Sequence, residues 1–206
     1  MTAETIATIP HDATIHPGWV RVSHWINALA ILVMIGSGWQ IYDASPLFRG
    51  LEFSKHIALG QWLGGALLWH FAAMWVLVVN GIVYVTLGLA TGRFKRKLLP
   101  IYPSEVVADA KAALTFKLAH DDLSHYNAVQ KVLYAGVILC GILIVLSGLS
   151  IWKPVQFQEL TALFGGYDFA RYVHFAAMSA IVGFLCVHVA LALLVPKSLR
   201  AMVTGR

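Results

Sequence analysis

The sequence predicts an all-α protein, an integral membrane four-helix bundle with N- and C-termini cytoplasmic. Three observations carry this. Of the 206 residues, 59% are hydrophobic and only 12% charged, roughly half the charge of a soluble domain. Four long stretches hold no Asp, Glu, Lys or Arg, and a helix needs about 20 apolar residues to cross a bilayer. The Lys and Arg residues gather in alternate connecting segments, as they do around membrane spans. Mean hydropathy is +0.72. The chain reads as one domain with spans at about 20–42, 65–91, 130–152 and 171–195.

Residues 1–17 are polar and lack Lys and Arg. A signal peptide needs a basic start and an apolar core, so this reads as a short tail. His11 and His16 are expected to be solvated.

The first span follows from the 21 uncharged residues Val22–Tyr42, with Trp19, Trp25 and Trp39 marking its ends as an interfacial belt. Arg21, Ser23, His24 and Asn27 crowd its start. His56–Gly92 is 37 residues without a formal charge, too long for one straight span at about 1.5 Å per residue. Gly60, Gly64 and Gly65 interrupt its first third, so the second span is placed near 65–91, with His70 in its first turns. Residues 43–64 become an outer loop, expected to carry a short interfacial helix. His56, fourteen residues before His70, is the competing candidate on a similar face but reads as a loop residue.

GRFKRKLLP then supplies four positive charges, Arg93, Lys95, Arg96 and Lys97. An amphipathic helix is expected around 104–118. HDDLSH, with His120 and His125, resembles a metal sequence, but Asp beside Ser more often signals a helix start. The third span, Val132–Trp152, has no histidine, and its Gly136, Gly141 and Gly148 suit close packing in lipid. The fourth lies between Arg171 and Lys197, with 25 uncharged residues including His174 and His188.

With both termini inside, eleven Lys and Arg face the cytoplasm and four the outside, which the positive-inside rule favours. The net charge of +5 lies between apolar runs, so it reports topology and not a nucleic-acid groove. Cys140 and Cys186 fall in apolar runs and no CxxCH occurs. They are expected to be buried free thiols acting as small apolar residues.

An imidazole inside lipid is costly and marks function. His174 and His188 are fourteen residues apart, which places them on one helix face about 21 Å apart. His24 and His188 lie near the inner ends of their spans, and His70 and His174 near the outer ends. The inner match is uneven, with His24 three residues from Arg21 and His188 nine from Lys197; tilt or an earlier start of the first helix has to absorb this. Zinc wants four converging ligands. Histidines in twos at separate depths instead suit two haem b groups with both axial positions filled. Such iron carries electrons and leaves no site for oxygen. Arg21, Lys153 and Arg171 lie where haem propionates or lipid phosphates can pair.

RVSHW (21–25), WHFAAMW (69–75), YNAVQK (126–131), SGLSIWKP (147–154), the His174/His188 pair and the SLRAMVTGR tail together resemble the di-haem cytochrome b subunits of respiratory formate dehydrogenases, nickel-iron hydrogenases and thiosulfate-reductase-type enzymes. The resemblance covers all four spans. It implies that His24, His70, His174 and His188 are the iron ligands. It also implies that the protein is an electron-transfer subunit of the bacterial inner membrane, working between a periplasmic catalytic redox subunit and quinone. YNAVQK resembles the quinone-side motif, which implicates Asn127 and Gln130. Asn127 alone is able to start the third helix, whereas Gln130 lies one turn further in, where no cap is needed. The fourth span lacks the additional histidine of the formate dehydrogenase and hydrogenase versions, which favours the branch linked to molybdenum enzymes.

Two other functions compete. One is a stand-alone membrane oxidoreductase taking electrons from a small diffusible donor such as superoxide. The other is a proton or metal transporter, which should show polar residues near midspan. The middles of spans three and four are nearly bare of them.

Overall fold

The computed structural model describes residues 16–115 and 126–205. His11, His120 and His125 lie outside the described residues. Those residues form helices α1 (Gly18–Ala44), α2 (Leu63–Ala90), α3 (Arg93–Leu98), α4 (Pro103–Leu114), α5 (Ala128–Trp152), α6 (Gln158–Leu163), α7 (Tyr167–Leu194) and α8 (Pro196–Thr204), and no strand among them. Helices α1, α2, α5 and α7 are long and apolar enough to cross a membrane. At 28 residues, α2 rises about 42 Å, so its ends project beyond a hydrocarbon core of about 30 Å.

The four spans pack as two hairpins, α1 on α2 and α5 on α7. Their shared interior is built of small side chains. Ala66, Ala170, Ser37, Ser147 and Ser150 are wholly buried, and the largest wholly buried side chains are serines. Leu29, Leu68, Ile82, Leu139 and Leu193 point outward, as a lipid-facing surface requires. Small residues bring helix backbones close where lipid provides no hydrophobic drive for association.

The two hairpins repeat one plan. Ser37-Gly38 in α1 and Ser147-Gly148 in α5 begin at the twentieth residue of their helices. The pentapeptide HFAAM occurs at 70–74 and again at 174–178, starting in both cases at the eighth residue of a 28-residue helix. Ala73 and Ala177, within those pentapeptides, are both buried.

The connections differ from expectation in places. Residues 45–62 hold turns and bends with no helix. This segment folds back onto α1, where the Leu59 amide donates to the Gly36 carbonyl at 2.9 Å. A Cβ at Gly36 would meet the Ile57 carbonyl and Leu59 Cβ at 3.3 Å, so glycine makes that docking possible. Trp39 stacks on Phe53 at 4.9 Å, and Tyr42 and Phe48 pack on Phe175 at 5.1 and 5.5 Å. These rings replace an interfacial helix as the means of holding the loop. In the second loop of this end, α6 forms instead.

At the other end, Arg21 donates to the Val203 carbonyl at 2.8 Å, fastening α8 to the start of α1. His16 is buried, not solvated, with Nδ1 3.4 Å from the Arg93 guanidinium. Burial, followed by the charges of Arg93 and Lys97, lowers its pKa to about 4. The cysteines also depart from expectation. Cys140 is half-buried and Cys186 exposed on the outward surface.

Candidate functional site

His24 is the seventh residue of α1, and His188 is the seventh from the end of α7. These two helix ends lie on one side of an up-down-up-down bundle. Both rings therefore sit about 9 Å inside it. The uneven depth inferred from Arg21 and Lys197 disappears because α1 already starts at Gly18. His70 and His174 are each the eighth residue of their helices, at the opposite end.

The rings meet in these two pairs. The centroids of His24 and His188 are 6.0 Å apart, and those of His70 and His174 6.5 Å apart. Two imidazoles bound to one metal from opposite sides, each through a bond of about 2 Å, hold their centres about 6 Å apart. His56 is exposed in the loop and joins neither pair. Among the described residues, no group of three or more His, Cys, Asp or Glu converges as a metal cluster would.

The outer pair is held by hydrogen bonds. Ser37 Oγ lies 3.0 Å from His70 Nδ1, and Ser147 Oγ 3.1 Å from His174 Nδ1. A Cβ at Gly38 would meet His70 Cε1 at 3.5 Å, and one at Gly148 would meet His174 Cε1 at 3.2 Å. The Ser-Gly steps thus give each ring both a polar partner and room. Sequence reasoning missed Ser37 and Gly38, and took Gly148 as a packing residue and Ser147 only as part of SGLSIWKP. The twice-occurring HFAAM was the signal that would have led to them.

The inner pair is held by packing. Phe184 stacks on His188 at 5.5 Å and 11°, and Trp25 meets His24 edge-on at 5.2 Å. Asn80 of α2 donates to the Ser23 carbonyl and to Asn27 Oδ1, each at 2.8 Å, which fixes α2 against the turn that carries His24. The internal repeat breaks at this level. His24 corresponds to Tyr134 in α5, and His188 to Tyr84 in α2.

The other expected site residues are placed differently. Asn127 is the N-cap of α5, accepting from the Gln130 amide at 2.8 Å, while Gln130 Oε1 accepts from the Asn127 amide at 3.1 Å. This reciprocal capping box corrects the expectation that Gln130 lies beyond the reach of a cap. Gln130 also lines a cleft with Tyr134, Phe184 and His188, and Asn127 does not. Arg171 donates to the Ser45 carbonyl and hydroxyl, closing the end of α1. Arg21 retains a buried Nε with no partner among the described residues, beside a second cleft with Trp25 and Met202.

Comparison with known proteins shows the family. The family description prokaryotic cytochrome b561 matches residues 15–205. The chain belongs to this family. Membership brings haem b, a multi-pass location in the bacterial inner membrane and membrane electron transfer. A relative from Azospira oryzae, provisionally named protein-methionine-sulfoxide reductase subunit YedZ1, is 53% identical over 191 residues, covering 93% of this chain and 96% of that protein. The paired imidazoles suit the haem b that the family implies.

Proposed function

We propose that the chain carries electrons through two haem b groups, the inner held by His24 and His188 and the outer by His70 and His174. The observation that supports this is the pair of imidazole pairs, each at matched depth and about a bis-imidazole distance apart. Bound haem supplies one-electron carriage. The protein's residues do the rest. His24 with His188 and His70 with His174 would hold the two haems, and with both rings of each pair bound no position would be left for oxygen or substrate. The missing Cβ atoms of Gly38 and Gly148 leave room beside the outer rings. Both termini face the cytoplasm in this reading, so His24 and His188 lie toward it.

Quinone is the inner partner, and the cleft of Gln130, Tyr134, Phe184 and His188 is its site. Gln130 spends its carbonyl oxygen on the capping box, and its amide N–H groups remain as donors for a quinone carbonyl. Asn127 serves the helix start.

The outer partner is a periplasmic catalytic subunit. The 53% identical relative is named as a subunit of a protein-methionine-sulfoxide reductase, and we extend that partner class to this chain. Electrons then run outward from quinol to a reductase that needs two per sulfoxide.

The test is haem content and spectra of purified variants. The wild-type chain should give a pyridine haemochrome ratio near two haems per polypeptide. His24→Ala and His188→Ala should each remove one haem signal, and His70→Ala and His174→Ala the other, while His56→Ala leaves both. A ratio near one, or a haem lost with His56→Ala, overturns the assignment.

A further inference from the structure

Ser37 and Ser147 are wholly buried, and each hydroxyl has a single proton to give. Ser37 Oγ lies 2.6 Å from the Val33 carbonyl, and Ser147 Oγ 2.8 Å from the Leu143 carbonyl. The proton goes to these carbonyls one turn earlier. What Oγ then presents to the neighbouring ring is a lone pair. With the serine proton so placed, Nδ1 of His70 and of His174 carries the ring proton, for which the Met34 and Ile144 carbonyls are further acceptors, and each Nε2 keeps the lone pair a metal takes.

A serine bonded to its own helix is common and needs no function. Three observations go beyond that. The serines occupy the same position in two helices of one internal repeat. Each is followed by a glycine whose missing Cβ faces the same ring. His24 and His188, by contrast, make no side-chain hydrogen bond among the described residues and are held by aromatic packing.

We propose that Ser37 and Ser147 are a matched pair of positioning residues that fix the tautomer and ring plane of His70 and His174, and so set the reduction potential of the outer haem. This rests on the reading that those two histidines hold that haem. A hydrogen bond at Nδ1 raises the basicity of a ligating imidazole. That favours ferric iron and lowers the potential. The inner haem serves as a control within the same molecule.

The experiment is a redox titration with low-temperature electron paramagnetic resonance on the purified, haem-loaded full chain. Ser37→Ala and Ser147→Ala should each raise the outer haem's potential, with a larger rise in the double variant. A tenfold change in ferric preference reads as about 59 mV for one electron. The outer ferric signal should shift as the ring planes are released, and the inner haem should stay unchanged. Ser37→Thr and Ser147→Thr keep the hydroxyl and should keep the wild-type potential. An unmoved outer potential in the double alanine variant, with His70→Ala still losing that haem, sinks the serine proposal alone. Retention of both haems by His70→Ala sinks the ligand reading itself. Should the alanine variants lose the outer haem altogether, the threonine variants decide. Haem at the wild-type potential supports the proposal, and haem lost from them too overturns it.

Discussion

Asn127 and Gln130 are three residues apart, and their amides divide the work at the start of α5. Asn127 Oδ1 and Gln130 Oε1 each satisfy a backbone N–H that the first turn of a helix leaves unpaired. Only Gln130 also faces the cleft beside His188. The two residues should therefore separate by assay. Asn127→Ala should cost about 0.5–2 kcal/mol of stability and lower the thermal midpoint of haem retention, with quinone kinetics little changed. Gln130→Glu keeps an acceptor for the Asn127 amide but loses the N–H donors. It should leave the midpoint near wild type and weaken quinol-driven haem reduction by up to about tenfold, since one neutral hydrogen bond contributes about 0.5–1.5 kcal/mol. Equal quinone defects in both variants would return Asn127 to the pocket.

At the scale of elements, glycines of similar appearance in the sequence have opposite roles. Gly60 lies near the end of the loop that folds over α1, with φ +112°, and a Cβ there would collide with the Ala66 amide nitrogen. Gly81, inside α2, has nothing within 4 Å of a built Cβ. The same substitution should act in opposite senses. Gly60→Ala should destabilise by about 1–3 kcal/mol through backbone strain and loosen the loop beside the outer pair. Gly81→Ala should be neutral or stabilising by up to about 1 kcal/mol, because alanine is the better helix former. Thermal melts followed in the Soret band will compare them. A Gly60→Ala protein as stable as wild type would show that the loop-to-α2 joint tolerates a side chain.

At the scale of the whole molecule, charge sets direction. Of the fifteen Lys and Arg residues, eleven fall in sequence segments that we assign to the cytoplasm, and retention of positive charge on that side orients short-looped spans. A fluorescent protein fused after Arg206 should glow, and alkaline phosphatase fused there should be inactive, because the one folds inside and the other outside. Phosphatase fused in the 45–62 loop should be active. The reverse pattern would exchange the inner and outer haems of this account and move the quinone cleft to the periplasmic side.

The sequence by itself determined the all-α class and the four candidate spans. Both follow from local quantities: apolar length and the cost of leaving backbone groups unpaired in lipid. It also singled out the four histidines, since an imidazole in an apolar run stands out without any knowledge of its neighbours. Only the tertiary structure decided how closely the rings approach and what holds them. The depths of the spans already pointed to the pairs and to His70 over His56; the structure brings the paired rings to 6.0 and 6.5 Å and, with α2 beginning at Leu63, leaves His56 in the loop. It also gave Gln130 a second role, buried His16, exposed Cys186 and brought Ser37 and Ser147 against their rings. These outcomes depend on the angle and register at which helices distant in sequence pack, and neither is encoded in local apolar periodicity.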